Sequence, residues 1–518
     1  MSISSLLSRR SFLGASTGVL ALSLADQRAL AHAKHGYFSL GVASGSPRED
    51  RVILWTRLAP DPLNGGGMAD MPVEVRVRVA RDPDMRDIIQ DESVTTNATV
   101  GHSVHYSARG LDRGREYFYQ FSYDGQESPI GRTKTSDPTA DEARIALAYC
   151  QHYEYGYYAA YRDMVDWAPD CVIHTGDYIY EGGPGKLGAV LRNVGGGERQ
   201  LFETVRLHTG SETVTLWDYR NRYALYRTDP DLQAAHAAAP WIVAMDDHEV
   251  DNNWAGDIPQ DPEKQTQVEF LIRKLAAFQA YYEHMPIERP PVIDGIKSQL
   301  QMYGVYRFGP ALVHLLDTRQ YRSDQACGDR RKPYCEDVLD PSRTMLGQEQ
   351  EAWLADSLRR SEAPFNVMAT QIWFTPYRYN EPPAAASVNL DSWDGYPAAR
   401  QRLSDLLADG ISNPVFLTGD WHTAMASQVY QTPFDPSSKR IGHELVGSSI
   451  SSGCPWARDM EIVREANPHV RHLNGLQRGY LRTTFTKRHC TGDFRVVKDP
   501  GQRNSPVTTD VELRTRDL

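Results

Sequence analysis

Cysteine is scarce: 6 residues in 518, too few to staple a chain of this length, so any disulfide is local. Positive charge is also in deficit. Lys and Arg total 56 against 67 Asp and Glu, a formal charge of −11. Sequence-independent nucleic-acid binding needs a surplus of cations to neutralise phosphates, so no stable nucleic-acid partner is expected. No apolar run reaches the ~20 residues that a membrane-spanning helix requires, and no internal repeat stands out. The glycines at Gly195-Gly196-Gly197 lack the following Gly-Lys-Ser/Thr of a phosphate-cradling loop, so they read as a flexible loop. What is present is a 41% hydrophobic, 24% charged composition. That supports a sizeable core and excludes wholesale disorder.

The first residues read as an address. Ser8-Arg9-Arg10-Ser11-Phe12-Leu13 opens a small, apolar stretch to Ala25, and Ala31-His32-Ala33 supplies the small residues of a peptidase site. Paired arginines before Phe-Leu match a twin-arginine export signal over residues 1–33. The expected partner is the twin-arginine machinery, and the expected location is periplasmic or secreted. That route carries folded proteins, often ones already loaded with a cofactor.

Two patterns follow. From Phe38 to about Arg132 the text is β-like: Val52–Thr56 is one run, Val73–Val79 alternates strictly, and Tyr117–Tyr123 ends at the turn dipeptide Asp124-Gly125. Gly110-Leu111-Asp112-Arg113-Gly114 before Tyr117 resembles the corner of a fibronectin-type sandwich. Thr133–Glu142 reads as a linker. Beyond it, short apolar strands end abruptly in polar residues and alternate with helical stretches at Glu269–Tyr282 and Gly347–Arg359. Continuous apolar strands are buried on both faces by helices, and α/β sheets gather their sites at strand carboxyl ends. The expected fold is α/β (α+β): a signal over 1–33, an N-terminal fibronectin/Ig-like β-sandwich over 34–137 and a catalytic domain over 138–518.

Those strand ends offer carboxylates at Asp177, Asp246, Asp247 and Asp420, imidazoles at His248 and His422, the Asn252 amide, the Tyr180 phenol and the Cys150 thiol. So many acids cannot share a cleft without cations, because like charges would force some to protonate. A phenol binds weakly unless a trivalent ion such as Fe³⁺ holds it deprotonated. Other candidates have plainer readings. Cys171 and His174 are expected in the core, and Cys327 and Cys335 are expected to form a local disulfide around a charged loop. Cys454 and Cys490 are left open. The tyrosines at 153, 155, 157 and 158 either line a pocket or pack on the next helix.

Gly176-Asp177-Tyr178-Ile179-Tyr180-Glu181, Asp246-Asp247-His248-Glu249-Val250 with Asn252, and Gly419-Asp420-Trp421-His422 together resemble the alkaline phosphatase D family. Leu316–Arg322, Leu346–Gln350 and Arg478-Gly479-Tyr480 are similar to later signatures of that family, and the order echoes the wider metallophosphoesterases and purple acid phosphatases. The resemblance implies a two-sheet core with helices outside and a cluster of one Fe³⁺ with Ca²⁺. It implies Cys150, Asp177, Tyr180 and His422 as iron ligands, with Asp177 bridging and Asn252 and Asp420 on the calcium side. Asp247 stands where the wider superfamily has an asparagine. Gly-Asp-Trp-His in place of Gly-His-x-His exchanges an imidazole for a carboxylate, which favours a hard ion such as Ca²⁺.

The expected activity is hydrolysis of phosphate mono- and diesters by a metal-activated hydroxide, for phosphate scavenging. His248 is the candidate acid or transition-state stabiliser. Arg319 and Arg322 are candidate phosphate clamps, with structural ion pairing as their competing reading. A phospholipase D-like lipid phosphodiesterase and a non-catalytic surface-binding protein are the alternatives. No transmembrane segment is expected in the mature chain, and nothing demands assembly beyond a monomer.

Overall fold

The computed structural model describes residues 36–194, 197–382 and 384–517, so the expected signal at 1–33 and Gly195-Gly196 lie outside the described residues. The fold is mixed α/β, with several sheets and seven α-helices among the described residues. No helix there is long and apolar enough to cross a membrane.

Two large sheets carry the core. In the nine-stranded sheet, strands Glu142–Ala148, Cys171–His174 and Pro240–Val243 run parallel side by side. Their register aligns Ala148 with His174 and His174 with Val243, so all three stop at one level. In the seven-stranded sheet, Ala311–Leu315, Phe365–Thr370, Pro414–Thr418 and Arg440–Val446 are likewise parallel, with Leu315 opposite Ala369, Thr370 opposite Thr418 and Thr418 opposite Val446. Alternate side chains show how these sheets stack. Ile145, Leu147 and Ile173 meet Val313, Val367, Val415 and Leu417 of the other sheet, whereas Ala146, Ala148 and Val172 face helices. This double burial explains the unbroken apolar text of these strands.

Helices cover both outer faces. Gln267–His284 packs on the nine-stranded side, and Gly347–Arg359 with Pro397–Ala408 packs on the seven-stranded side. Gln267–His284 starts at a capping box between Thr266 and Glu269, two residues before the helix expected from periodicity.

The N-terminal segment differs from a separate, self-contained pair of sheets. Strands Val42–Gly45, Arg51–Arg57 and Ser103–Arg109 extend the nine-stranded sheet, with Val42–Gly45 pairing in parallel with Pro240–Val243. A five-stranded sheet built on Val73–Ala80 and Glu116–Tyr123 packs across them through Val75, Val77, Val79, Tyr119 and Phe121. The corner beside it has the expected contact: the Asp112 N–H donates to the Tyr117 hydroxyl at 2.8 Å. Of the expected linker Thr133–Glu142, only Thr133 and Lys134 at one end and Glu142 at the other are in strands, and residues 135–141 form none.

Candidate metal centre

Because the parallel strands end together, the loops that leave them converge. Backbone bonds then lock the loops of the two sheets: Ile450 N–H donates to Tyr149 O at 3.0 Å and Ser452 N–H to Cys150 O at 3.2 Å. The turns are tight enough to need left-handed backbone at Cys150 (φ 51°), Asp177 (φ 55°), Asp420 (φ 62°) and His422 (φ 51°). Non-glycine residues held there mark a local strain that the surroundings must overcome. Gly176 (φ 116°) has a steric role as well, since a Cβ there would lie 2.3 Å from that of Asp246.

Three groups of ligand atoms result, each with its atoms within 4.8 Å of one another: Cys150–Asp177–His422, Asp177–Asp247–His248 and Asp246–Asp247–Asp420. Asp177 joins the first to the second, and Asp247 the second to the third. Tyr180 sits in the first group. Its hydroxyl lies 2.8 Å from Asp177 Oδ2, 3.2 Å from His422 Nε2 and 2.8 Å from Ser452 Oγ, while the Cys150 thiol donates to Asp177 Oδ2 at 3.2 Å. His422 Nδ1 is bonded to Gly453 O at 2.7 Å, which turns Nε2 inward. Between the two ligands of the Asp420–His422 turn, Trp421 points the other way and stacks on Trp373 at 4.3 Å, anchoring the turn.

The electrostatics are those of a cation cage. Burial pushes Asp177 and Asp420 well above the ordinary carboxyl range, with neighbouring aspartates adding to the rise. Burial also pushes Asp246 up to about 7, against Arg319. The Cys150 thiol and Tyr180 phenol are raised by burial and by Asp177, and burial lowers His422 to about 3, leaving a neutral imidazole. Asp177 Oδ1, Asp246 Oδ2 and Asp247 Oδ1 are buried with no hydrogen-bond partner. Orphaned carboxylate oxygens of this kind, beside a neutral imidazole, thiol and phenol, fit metal ions at the first and third of these groups. Of the four aspartates in these groups, Asp247 is the one held ionised: against burial, Arg319 and His248 keep it below the ordinary range.

His248 Nδ1 is 2.6 Å from Glu181 Oε2, and one of its ring nitrogens belongs to the group formed with Asp177 and Asp247. Although burial opposes it, Glu181, Asp247 and Asp177 hold the imidazole well above its ordinary value. Asn252 enters through its main chain, whose N–H donates to Glu181 Oε1 at 3.1 Å; its side-chain amide is turned to Gln260 at 2.7 Å.

Arg319 and Arg322 are not free to clamp a phosphate. Arg319 Nε donates to Asp246 at 2.5 Å, and its other nitrogens make a two-pronged pair with Asp391 at 3.0 and 3.1 Å. Arg322 is bound to the Tyr396 hydroxyl and to Asp391 O at 2.7 Å. Both are buried counter-charges for the acids, which is the structural ion-pairing reading of the two arginines.

Sequence reasoning gave no role to Glu181, Glu249, Asp391 or Ser452. Glu249 accepts from the N–H groups of Asp177, Tyr178 and Asp246, so one carboxylate shapes two ligand loops. Its place directly after His248 was the only available signal. The remaining expectations resolve simply. Cys327 and Cys335 are bridged, Cys171 is a buried free cysteine, and Cys454 and Cys490 are free. His174 is a buried histidine stacked on Trp241. The tyrosine run encloses a cation: the Arg206 guanidinium lies over Tyr153, Tyr157 and Tyr158 and pairs with Asp229 at 2.6 Å.

Sequence models of the PhoD-like phosphatase and of its N-terminal domain match residues 145–494 and 24–137. The chain is 44% identical over 476 residues to alkaline phosphatase D of Bacillus subtilis, covering 90% of this chain and 79% of that protein. A solved structure of PhoD superposes with a TM-score of 0.86 at 41% identity, covering 93% of this chain and 90% of that one.

Proposed function

The chain belongs to the PhoD-like phosphatase family and is a phosphoric ester hydrolase, and from that premise we propose that it is an exported, metal-dependent enzyme that hydrolyses phosphate mono- and diesters and so scavenges phosphate. A purely surface-binding role is set aside by that membership. The reading extends to the architecture, taken as a metallophosphoesterase-type two-sheet core whose edge is shared with a fibronectin-like sandwich. Export rests on the paired arginines and small-residue site of residues 1–33.

The observation that carries the metal reading is the run of three ligand groups linked by Asp177 and Asp247, with three orphaned carboxylate oxygens inside it. Cys150, Asp177, Tyr180 and His422 would hold Fe³⁺, whose charge would keep the phenolate and thiolate deprotonated against burial. Asp246, Asp247 and Asp420 would hold Ca²⁺, an all-oxygen set. Asn252 joins the calcium side only if its amide turns away from Gln260. When bound, the ions supply Lewis acidity toward phosphoryl oxygens and lower the pKa of an attacking water.

The protein's own groups do the rest. Glu181 fixes the His248 ring and favours its charged form, so His248 enters the reaction as a proton donor to the departing alkoxide. Glu249 holds the Asp177 and Asp246 loops at their mutual distance, and Ser452 orients the Tyr180 hydroxyl. Arg319 offsets part of the negative charge, so Asp247 stays ionised. Release of p-nitrophenol from mono- and diester substrates, with and without chelator, tests the activity together with elemental analysis. Iron and calcium in the active protein, a visible tyrosinate–Fe³⁺ colour and loss of turnover on chelation are expected. An active, colourless protein holding only zinc would overturn the iron assignment.

A further inference from the structure

Arg319 and Arg322 are committed to carboxylates, so neither is a free cation at the centre. The structure offers one on its rim. The Cys327–Cys335 disulfide closes a short loop, Gly328-Asp329-Arg330-Arg331-Lys332. Arg331–Pro333 then pairs with Ser387–Asn389 as a two-stranded ribbon. Lys332 Nζ donates back to Cys327 O at 2.6 Å, bracing the clip.

This ribbon is tied to both sides of the centre. On one side Asn253 donates from Nδ2 to Asp329 Oδ2 at 2.6 Å, and the Asn253 N–H donates to the ligand Asp247 at 2.8 Å. Gln325, just before the clip, bonds Asn253 O at 2.8 Å and Asp391 at 2.6 Å. On the other side the Arg331 guanidinium lies 4.1 Å from the Tyr379 ring centre and 5.4 Å from that of Trp456, and Trp456 stacks on the ligand His422 at 5.6 Å. Arg331 is exposed and rests on rings, with no carboxylate partner among the described residues. Rings hold a guanidinium in place without neutralising it.

Resting on the phosphoesterase reading, we infer that Arg331 is a substrate-positioning residue that binds a second negative group on the departing part of the ester. The indole of Trp456 neighbours both Arg331 and His422, so Arg331 sits beside the ligand groups rather than among them. A carboxylate or phosphate beyond the scissile bond falls within its reach, and such a substituent gains affinity there by a charge-assisted bond. The centre therefore favours anionic leaving groups over neutral ones of the same size.

The test compares phenyl phosphate with 4-carboxyphenyl phosphate on the metal-loaded enzyme, followed by phosphate release. The wild type should show a KM about fivefold lower for the carboxylated ester, the size of one exposed charge pair. Arg331→Gln should abolish that preference while leaving the KM for phenyl phosphate and both kcat values within about twofold, and Arg331→Lys should restore part of it. Added salt should erode the wild-type preference and leave the near-equal KM values of Arg331→Gln in the same ratio. An active wild type with no preference, or a preference that survives in Arg331→Gln, overturns the inference and leaves the phosphoesterase reading standing. Hydrolysis of neither ester by metal-loaded wild type sinks the reading itself.

Discussion

The loop after strand Glu142–Ala148 and the loop after strand Pro240–Val243 leave the same sheet at the same level, yet they build unlike halves of one centre. The first half joins a thiol, a phenol, an imidazole and one carboxylate, steered by neutral partners, Ser452 and the Gly453 carbonyl. The second half is nearly all carboxylate, and the buried Arg319 is threaded between Asp246 and Asp391. A half that carries its own counter-charge can keep an acid ionised before any ion arrives, as Asp247 is. The first half also has a buried cation, Arg478, but it is spent on the carbonyls of His422 and Ser452, and burial keeps the thiol and phenol protonated. The difference teaches that the two halves should respond separately to mutation and to metal.

Asp177 belongs to both halves, so its change should be the most damaging. Asp177→Asn should lower p-nitrophenyl phosphate turnover by about 10³-fold or more and empty both iron and calcium by elemental analysis. Retention of either metal in full would show that the shared carboxylate does not bridge. Removing the internal counter-charge comes next. Arg319→Met leaves Asp246 buried without its guanidinium and Asp391 with only Arg322 and Gln325, at a cost of about 3–5 kcal/mol in urea unfolding. A loss under 1 kcal/mol would mean that the acids find other partners.

Separating the halves should give a smaller effect. Tyr180→Phe should remove iron and visible colour while calcium stays, with turnover down by about 10²-fold; Asp420→Asn should do the converse to the metals. If each variant loses both metals equally, the contrast between the halves is wrong.

The pH dependence follows from burial. A carboxyl group raised in the fold, such as Asp246 at about 7 or Glu249 at about 8, favours the folded state while protonated. That stability is lost as pH climbs from the unfolded value, about 4, through 7 to 8. Metal-stripped protein should therefore melt progressively lower than loaded protein between pH 5 and pH 8, by several degrees at the upper end in parallel thermal melts. A gap that stays constant across that range would contradict the cage. The smallest effect belongs outside the centre. Tyr117→Phe removes the corner contact to Asp112 and should cost about 1 kcal/mol with turnover unchanged.

How legible all this was in the sequence depended on the distance over which each feature is specified. Local patterns read well: the alternation of Val73–Ala80 and the three- and four-residue spacing within Gly347–Arg359 became the expected elements. Strand-end acids were visible because apolar runs stop abruptly at Cys150, Asp177, Asp246 and Asp420. The register that levels three strands was not visible, since pairing partners up to hundreds of residues apart carry no local mark. Nor was the left-handed backbone at Cys150, Asp177, Asp420 and His422, where a glycine would have been the usual signal and tertiary packing imposes the geometry instead. Arg319 stayed open between clamp and structural ion pair for the same reason: a guanidinium looks alike in sequence whether its carboxylate is a substrate's or the protein's own.

The order of residues around the first half has a consequence for biosynthesis. Cys150 and Asp177 emerge early from the ribosome, but His422, Ser452 and Gly453 come much later, and strand Glu142–Ala148 is flanked on one side by Arg478–Thr486. The group proposed to hold iron therefore stays incomplete through most of translation. Products of premature termination before His422 should bind no iron at that group.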